Sequence, residues 1–123
     1  MSKRYSMKDS DITLLYKGFA EVFFENKLPR YVKVKFVPAK MLKGINKHHE
    51  ADAAWRPAVG EIWIDEIYRR SESICCQLLL HEMAHVKLEG TYFGHPSKNP
   101  GHGMIYQAEI FRLIMAGAYD GIL

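Results

Sequence analysis

The chain has 123 residues, of which 48% are hydrophobic and 25% charged, with a formal net charge of +3. This length suits one compact domain spanning residues 1–123 with its core between about 11 and 118, and the composition excludes a largely disordered chain. No apolar run reaches the roughly 18 to 20 residues of a membrane helix, and the opening MSKRYSMKDSD lacks the apolar centre of a signal peptide; a cytoplasmic protein with no membrane partner is expected.

In SDITLLYKGFAEVFFENKLP, Ile12, Leu15, Phe19, Val22 and Phe23 recur at helical spacing behind Asp9 or Ser10 as N-cap. The pattern predicts an amphipathic helix ending before Pro29. YVKVKFVP alternates Val32, Val34 and Phe36 with Lys33 and Lys35, the mark of a half-buried strand, and Pro38 stops it. Residues 39–50, AKMLKGINKHHE, show no period and read as a loop, in which the adjacent His48 and His49 lack the spacing of a helical metal pair. ADAAWRP and EIWID read as two short strands forming a hairpin through Pro57 and Gly60.

From Ser71 to Glu89 the chain is apolar nearly all the way round, which predicts a helix at the centre of the domain with Gly90 as its stop. After the Gly- and Pro-rich stretch TYFGHPSKNPGHG, a last helix is expected over MIYQAEIFRLIMAGAYDGIL to the end of the chain. The order of elements is that of an α+β domain with about three strands.

Cys75 and Cys76 are adjacent inside the apolar run and read as buried thiols rather than a disulfide framework. The charge is unevenly spread: Lys27, Arg30, Lys33, Lys35, Lys40, Lys43 and Lys47 follow one another with no acid between Glu25 and Glu50. A solvated basic face is the ordinary meaning of such a run, and phosphate binding the functional one.

The central helix carries the chemistry. His81-Glu82-Met83-Ala84-His85 has the form HExxH, which on a helix sets two imidazoles one turn apart on one face, where they converge on a cation. Zinc suits such a pair, one ion per chain, and its catalytic sites keep a position open. The ion polarises a carbonyl and acidifies water to a pKa near 7, while Glu82 takes the proton and later hands it to the leaving amine. Without a cation, two histidines and a glutamate on a buried helix need core hydrogen bonds to compensate them. A third ligand is required, and His95, His102 and Glu109 are the downstream candidates. The long-helix pattern with glycine at 88 and histidine at 91 is excluded by Leu88 and Thr91.

LLLHEMAH, the element HGMIY and the upstream LYKGFAEVFFENKLPRYVKVKF together resemble the SprT-like metalloproteases, the family of the DNA–protein crosslink protease Spartan. The resemblance covers about Ile12 to Leu113 and implies a zincin-like α+β fold: an N-terminal helix, a small antiparallel or mixed sheet, the buried HExxH helix, and a C-terminal helix carrying the third ligand. It implies zinc bound by His81, His85 and His102, with Glu82 as general base. Tyr106 stands where the family usually has phenylalanine. It further implies hydrolysis of protein substrates, including proteins on DNA, and recruitment of DNA through the basic segment Lys27–Lys47. The alternative is a zinc-stabilised nucleic-acid- or protein-binding module without proteolysis.

Further expectations attach to single residues. Tyr92 and Tyr106 could donate to an oxyanion, with packing as the ordinary role. Tyr31 and Trp55 could stack on bases. EIWID could be an edge strand that aligns an extended substrate, with Trp63 marking the cleft.

Overall fold

A computed structural model describes residues 6–43, 52–91 and 104–122. The elements are α1 (Asp9–Phe23), β1 (Lys33–Val37), α2 (Ala39–Lys43), β2 (Ala53–Arg56), β3 (Glu61–Asp65), α3 (Glu72–Thr91) and α4 (Met104–Met115). The three strands form one mixed sheet in the order β1-β3-β2, with β1 parallel and β2 antiparallel to β3.

Alternation decides which side of the sheet each residue occupies. Val34, Phe36, Ile62 and Ile64 are buried on the inner face beneath α1 and α3 and join one core with Leu79, Leu80 and Met83 of α3. On the outer face α2 drops Leu42 onto Val37 and Ala54, with Trp63 packed beside them. The segment expected as a loop over 39–50 therefore opens with a helical turn, because Leu42 covers apolar surface that Val37 and Ala54 expose. Its remainder, with His48 and His49, lies outside the described residues.

Strand β3, EIWID, is central rather than an edge: it pairs with β1 from Lys33↔Glu61 to Val37↔Asp65 and with β2 from Ala53↔Ile64 to Arg56↔Glu61. The hairpin of β2 and β3 is as expected, and its turn needs Gly60. This residue has φ +68°, and a Cβ there would lie 2.8 Å from the Tyr31 ring.

The β1 edge is closed by side chains of α1. Thr13 Oγ1 accepts from the Val34 N–H at 3.0 Å and donates to the Val34 carbonyl at 3.1 Å, while Asp9 Oδ1 accepts from the Phe36 N–H at 3.0 Å. Asp9 is thus used on the sheet instead of as a cap. The N-cap is Lys8, whose backbone N–H donates to Asp11 at 2.8 Å. These contacts leave β2 as the other edge strand among the described residues, alongside α3.

The last helix stops at Met115 instead of running to the end. Gly117, at φ +89°, turns the chain, and Ala118 and Tyr119 are buried in the main core. Ser73 Oγ donates to the Ile122 carbonyl at 2.8 Å, and Gln77 donates to the same oxygen, fastening this return to the start of α3. Gly90 lies within the last turn of α3, which continues to Thr91. No helix among the described residues is long and apolar enough to cross a membrane.

Candidate metal centre

Helix α3 is held on several sides, and its buried residues Cys75, Leu79, Leu80, Met83, Ala84 and Val86 explain why its sequence lacks a polar face. Within that frame His81 and His85 stay half-buried, pointing toward α4, while Glu82 is buried toward β2. Donor atoms of His81, Glu82 and His85 all lie within 4.8 Å of one another, a group able to hold a metal ion. The imidazole centroids are 5.2 Å apart, and Glu82 Oε2 is 3.9 Å from His81 Nε2. Neutral imidazole pairs of this spacing suit zinc and other transition metals.

Glu82 is 6% exposed. Burial pushes its carboxyl up to about 7, against a smaller downward pull from the Trp55 backbone N–H that donates to it. The link between Trp55 and Glu82 brings the edge strand directly beside the acid. Trp55 itself packs partly buried on the inner face.

Tyr106, on the first turn of α4, packs between the helices. Its ring stacks on His85 at 4.5 Å between centroids and lies 5.2 Å from His81, and its hydroxyl donates to the His81 carbonyl at 3.2 Å. It braces both imidazoles, the packing role, and burial raises its pKa well beyond the ordinary phenol value. The HGMIY element singled out Tyr106 as an aromatic packing position, but not its partners His81 and His85.

Of the candidate third ligands, His95 and His102 lie outside the described residues, as does Tyr92; α4 begins at Met104, two residues after His102. Glu109 is described and is engaged elsewhere. Arg112 grips its carboxylate through Nε at 2.9 Å and Nη2 at 2.7 Å, and Lys87 Nζ reaches it at 2.7 Å. Burial pushes the Glu109 carboxyl up, yet the hydrogen bonds from Arg112 and Lys87 outweigh it and hold the group below the usual carboxylate range. Cys75 and Cys76 are free buried thiols, each raised to about 11 by burial, and take no part in the site.

On the outer face of the sheet the lysine pattern is partly neutralised. Lys35 pairs with Glu61 at 2.7 Å, Trp63 Nε1 donates to Glu61 at 2.8 Å, and the Arg56 guanidinium sits 5.1 Å over the Trp63 ring. Trp63 therefore faces away from α3 and does not mark the cleft.

No protein-family model matches the chain, and no curated protein matches it. Among solved structures its fold is similar to the crystal structure of the metallopeptidase zymogen of Pyrococcus abyssi abylysin, with a TM-score of 0.53 and 19% identity over 90% of this chain and 87% of that one. The chain thus has the fold of a solved metallopeptidase, with a His81-Glu82-His85 cluster on its central helix.

Proposed function

We propose that this protein is a zinc metallopeptidase of the SprT-like type that hydrolyses peptide bonds in protein substrates. The observation that carries the reading is a pair of imidazoles on one helix face with a buried carboxyl between them, beside an edge strand. His81, His85 and His102 would hold the ion, which when bound would polarise the peptide carbonyl and lower the pKa of water toward about 7. Glu82 holds the proton at its carboxylate, taking it from the attacking water and delivering it to the leaving nitrogen. Tyr106 keeps the two imidazoles oriented. Strand β2 offers the edge along which an extended peptide adds as a further strand.

The same reading places the protein in the cytoplasm, with proteins on DNA among its substrates and the basic segment Lys27–Lys47 as the DNA contact. Zinc-loaded protein is tested on casein and on a protein–DNA crosslink, alongside Glu82→Gln and with metal content measured. One zinc per chain and hydrolysis by wild type alone are expected. Equal activity in Glu82→Gln would sink the mechanism, and full zinc occupancy without hydrolysis of any protein would leave the binding-module alternative.

A further inference from the structure

An apolar groove of about 290 Å³ opens beside the candidate centre, lined by His81, Tyr106, Gln107, Ile110, Phe111 and Ile114. Phe111 is 63% exposed and Ile114 43% exposed, although Leu113 between them is fully buried. Helix α4 is therefore apolar on two sides: Tyr106 and Leu113 face the core, and Ile110, Phe111 and Ile114 wall the groove. Ile110 also packs against the core, but exposed Phe111 and Ile114 sharing one concavity with a residue of the metal cluster are not explained by packing.

We infer that this groove is a substrate subsite, which takes one large apolar side chain, aromatic or long aliphatic, of a residue flanking the scissile bond. The inference rests on the peptidase reading and adds a substrate class to it. Three features select the occupant. His81 belongs both to the groove wall and to the candidate centre, so a side chain seated there comes from a residue whose backbone runs past the reacting carbonyl. The volume lies at the lower end of ligand pockets, near 300 Å³, which suits one side chain better than a larger group. No Asp, Glu, Lys or Arg lines it among the described residues, so a charged side chain would lose its hydration with no opposite charge to replace it.

The test uses the full chain loaded with zinc and quenched peptides Gly-Gly-Xaa-Gly-Gly in which Xaa is Leu, Phe, Ala, Lys or Asp. At one position flanking the cleaved bond, Leu and Phe should exceed Asp by at least about ten-fold in kcat/KM. Phe111→Ala should compress that preference, and Ile114→Arg should shift it toward Asp; both residues are surface-exposed, so either variant suffices if the other folds poorly. Independently of turnover, the Leu and Phe peptides should shift the methyl resonances of Ile110 and Ile114 in Glu82→Gln protein, whereas the Asp peptide should not. Hydrolysis that ignores Xaa, with no methyl response, would overturn the subsite and leave the peptidase reading standing. Selective methyl shifts without cleavage of any peptide would remove the peptidase reading and overturn the substrate subsite with it, leaving a groove that only binds apolar side chains. A dimer that Ile114→Arg converts to monomer, with no response to peptide, would assign the groove to self-association and overturn the inference.

Discussion

Glu82 and Glu109 are the two buried acids among the described residues, and their surroundings push them in opposite directions. Among the described residues no lysine or arginine pairs with Glu82, which has His81 Nε2 at 3.9 Å, whereas Glu109 pairs with both Lys87 and Arg112. Removing the Glu82 carboxylate by Glu82→Gln should therefore leave zinc content unchanged and lower hydrolysis by about 10²- to 10⁴-fold, measured as kcat/KM on casein-derived peptides. Glu109 makes the pH prediction. Its folded pKa is depressed, so its ion pairs contribute stability that is present above the ordinary carboxylate value of 4.5 and lost as the pH falls through the lower folded value. Urea unfolding of wild type should show that acid loss, and Glu109→Gln should reduce its slope. The same substitution is expected to cost about 1 to 3 kcal/mol at neutral pH, a discounted figure because Lys87 and Arg112 are more than a third exposed. A Glu109→Gln protein that loses its zinc instead would make Glu109 the third ligand.

At the scale of elements, α3 was readable in the sequence because it is buried on several sides, and a helix without a polar face belongs in a core. HExxH could be placed on it because helical spacing alone puts His81 and His85 together. Truncating the core residue next to His81, Leu80→Ala, should destabilise the protein by about 2 to 5 kcal/mol in denaturant titration, since Leu80 is fully buried. The end of α4 was not readable, because the apolar residues Ala118, Tyr119 and Ile122 continue a run that looks helical. What breaks the helix is the left-handed backbone at Gly117, and a Cβ there would also lie 3.0 Å from Asp120 Oδ2. Gly117→Ala is thus expected to lower stability by more than about 1 kcal/mol in thermal unfolding. Arg112 ties α4 to the end of α1: it pairs with Glu109 on its own helix, donates to the Phe23 carbonyl at 2.9 Å and sits 5.4 Å over Phe24. The Glu109 pair follows from i,i+3 spacing along α4, but the contacts with Phe23 and Phe24 cannot be read from one helix.

At the scale of the molecule, the sheet presents two unlike edges. One is occupied by Thr13 and Asp9 of α1, and the other runs beside Glu82 through Trp55. A cation held by the histidines of α3 should couple to the stability of the whole domain, since an ion that binds only the folded chain stabilises it by about 2.7 kcal/mol at a hundred-fold excess over Kd. Zinc should accordingly raise the Tm and a chelator reverse the rise, and His85→Ala should abolish the shift. His102→Ala is expected to weaken it, which a titration of metal against Tm would read.

The sequence by itself determined the helical pairing of His81 with His85, the burial of the helix that carries them, and the alternating strands that pack against it, because helix and strand periodicities are local properties. Which strand lies at the edge, which acid is paired with a lysine, and which aromatic braces the imidazoles were decided only by tertiary structure. Those outcomes depend on neighbours distant in the chain: β1 inserts beside β3 in parallel, Lys87 of α3 reaches Glu109 of α4, and α4 lays Tyr106 across His81 and His85. Local spacing specifies faces, and only packing specifies what each face meets.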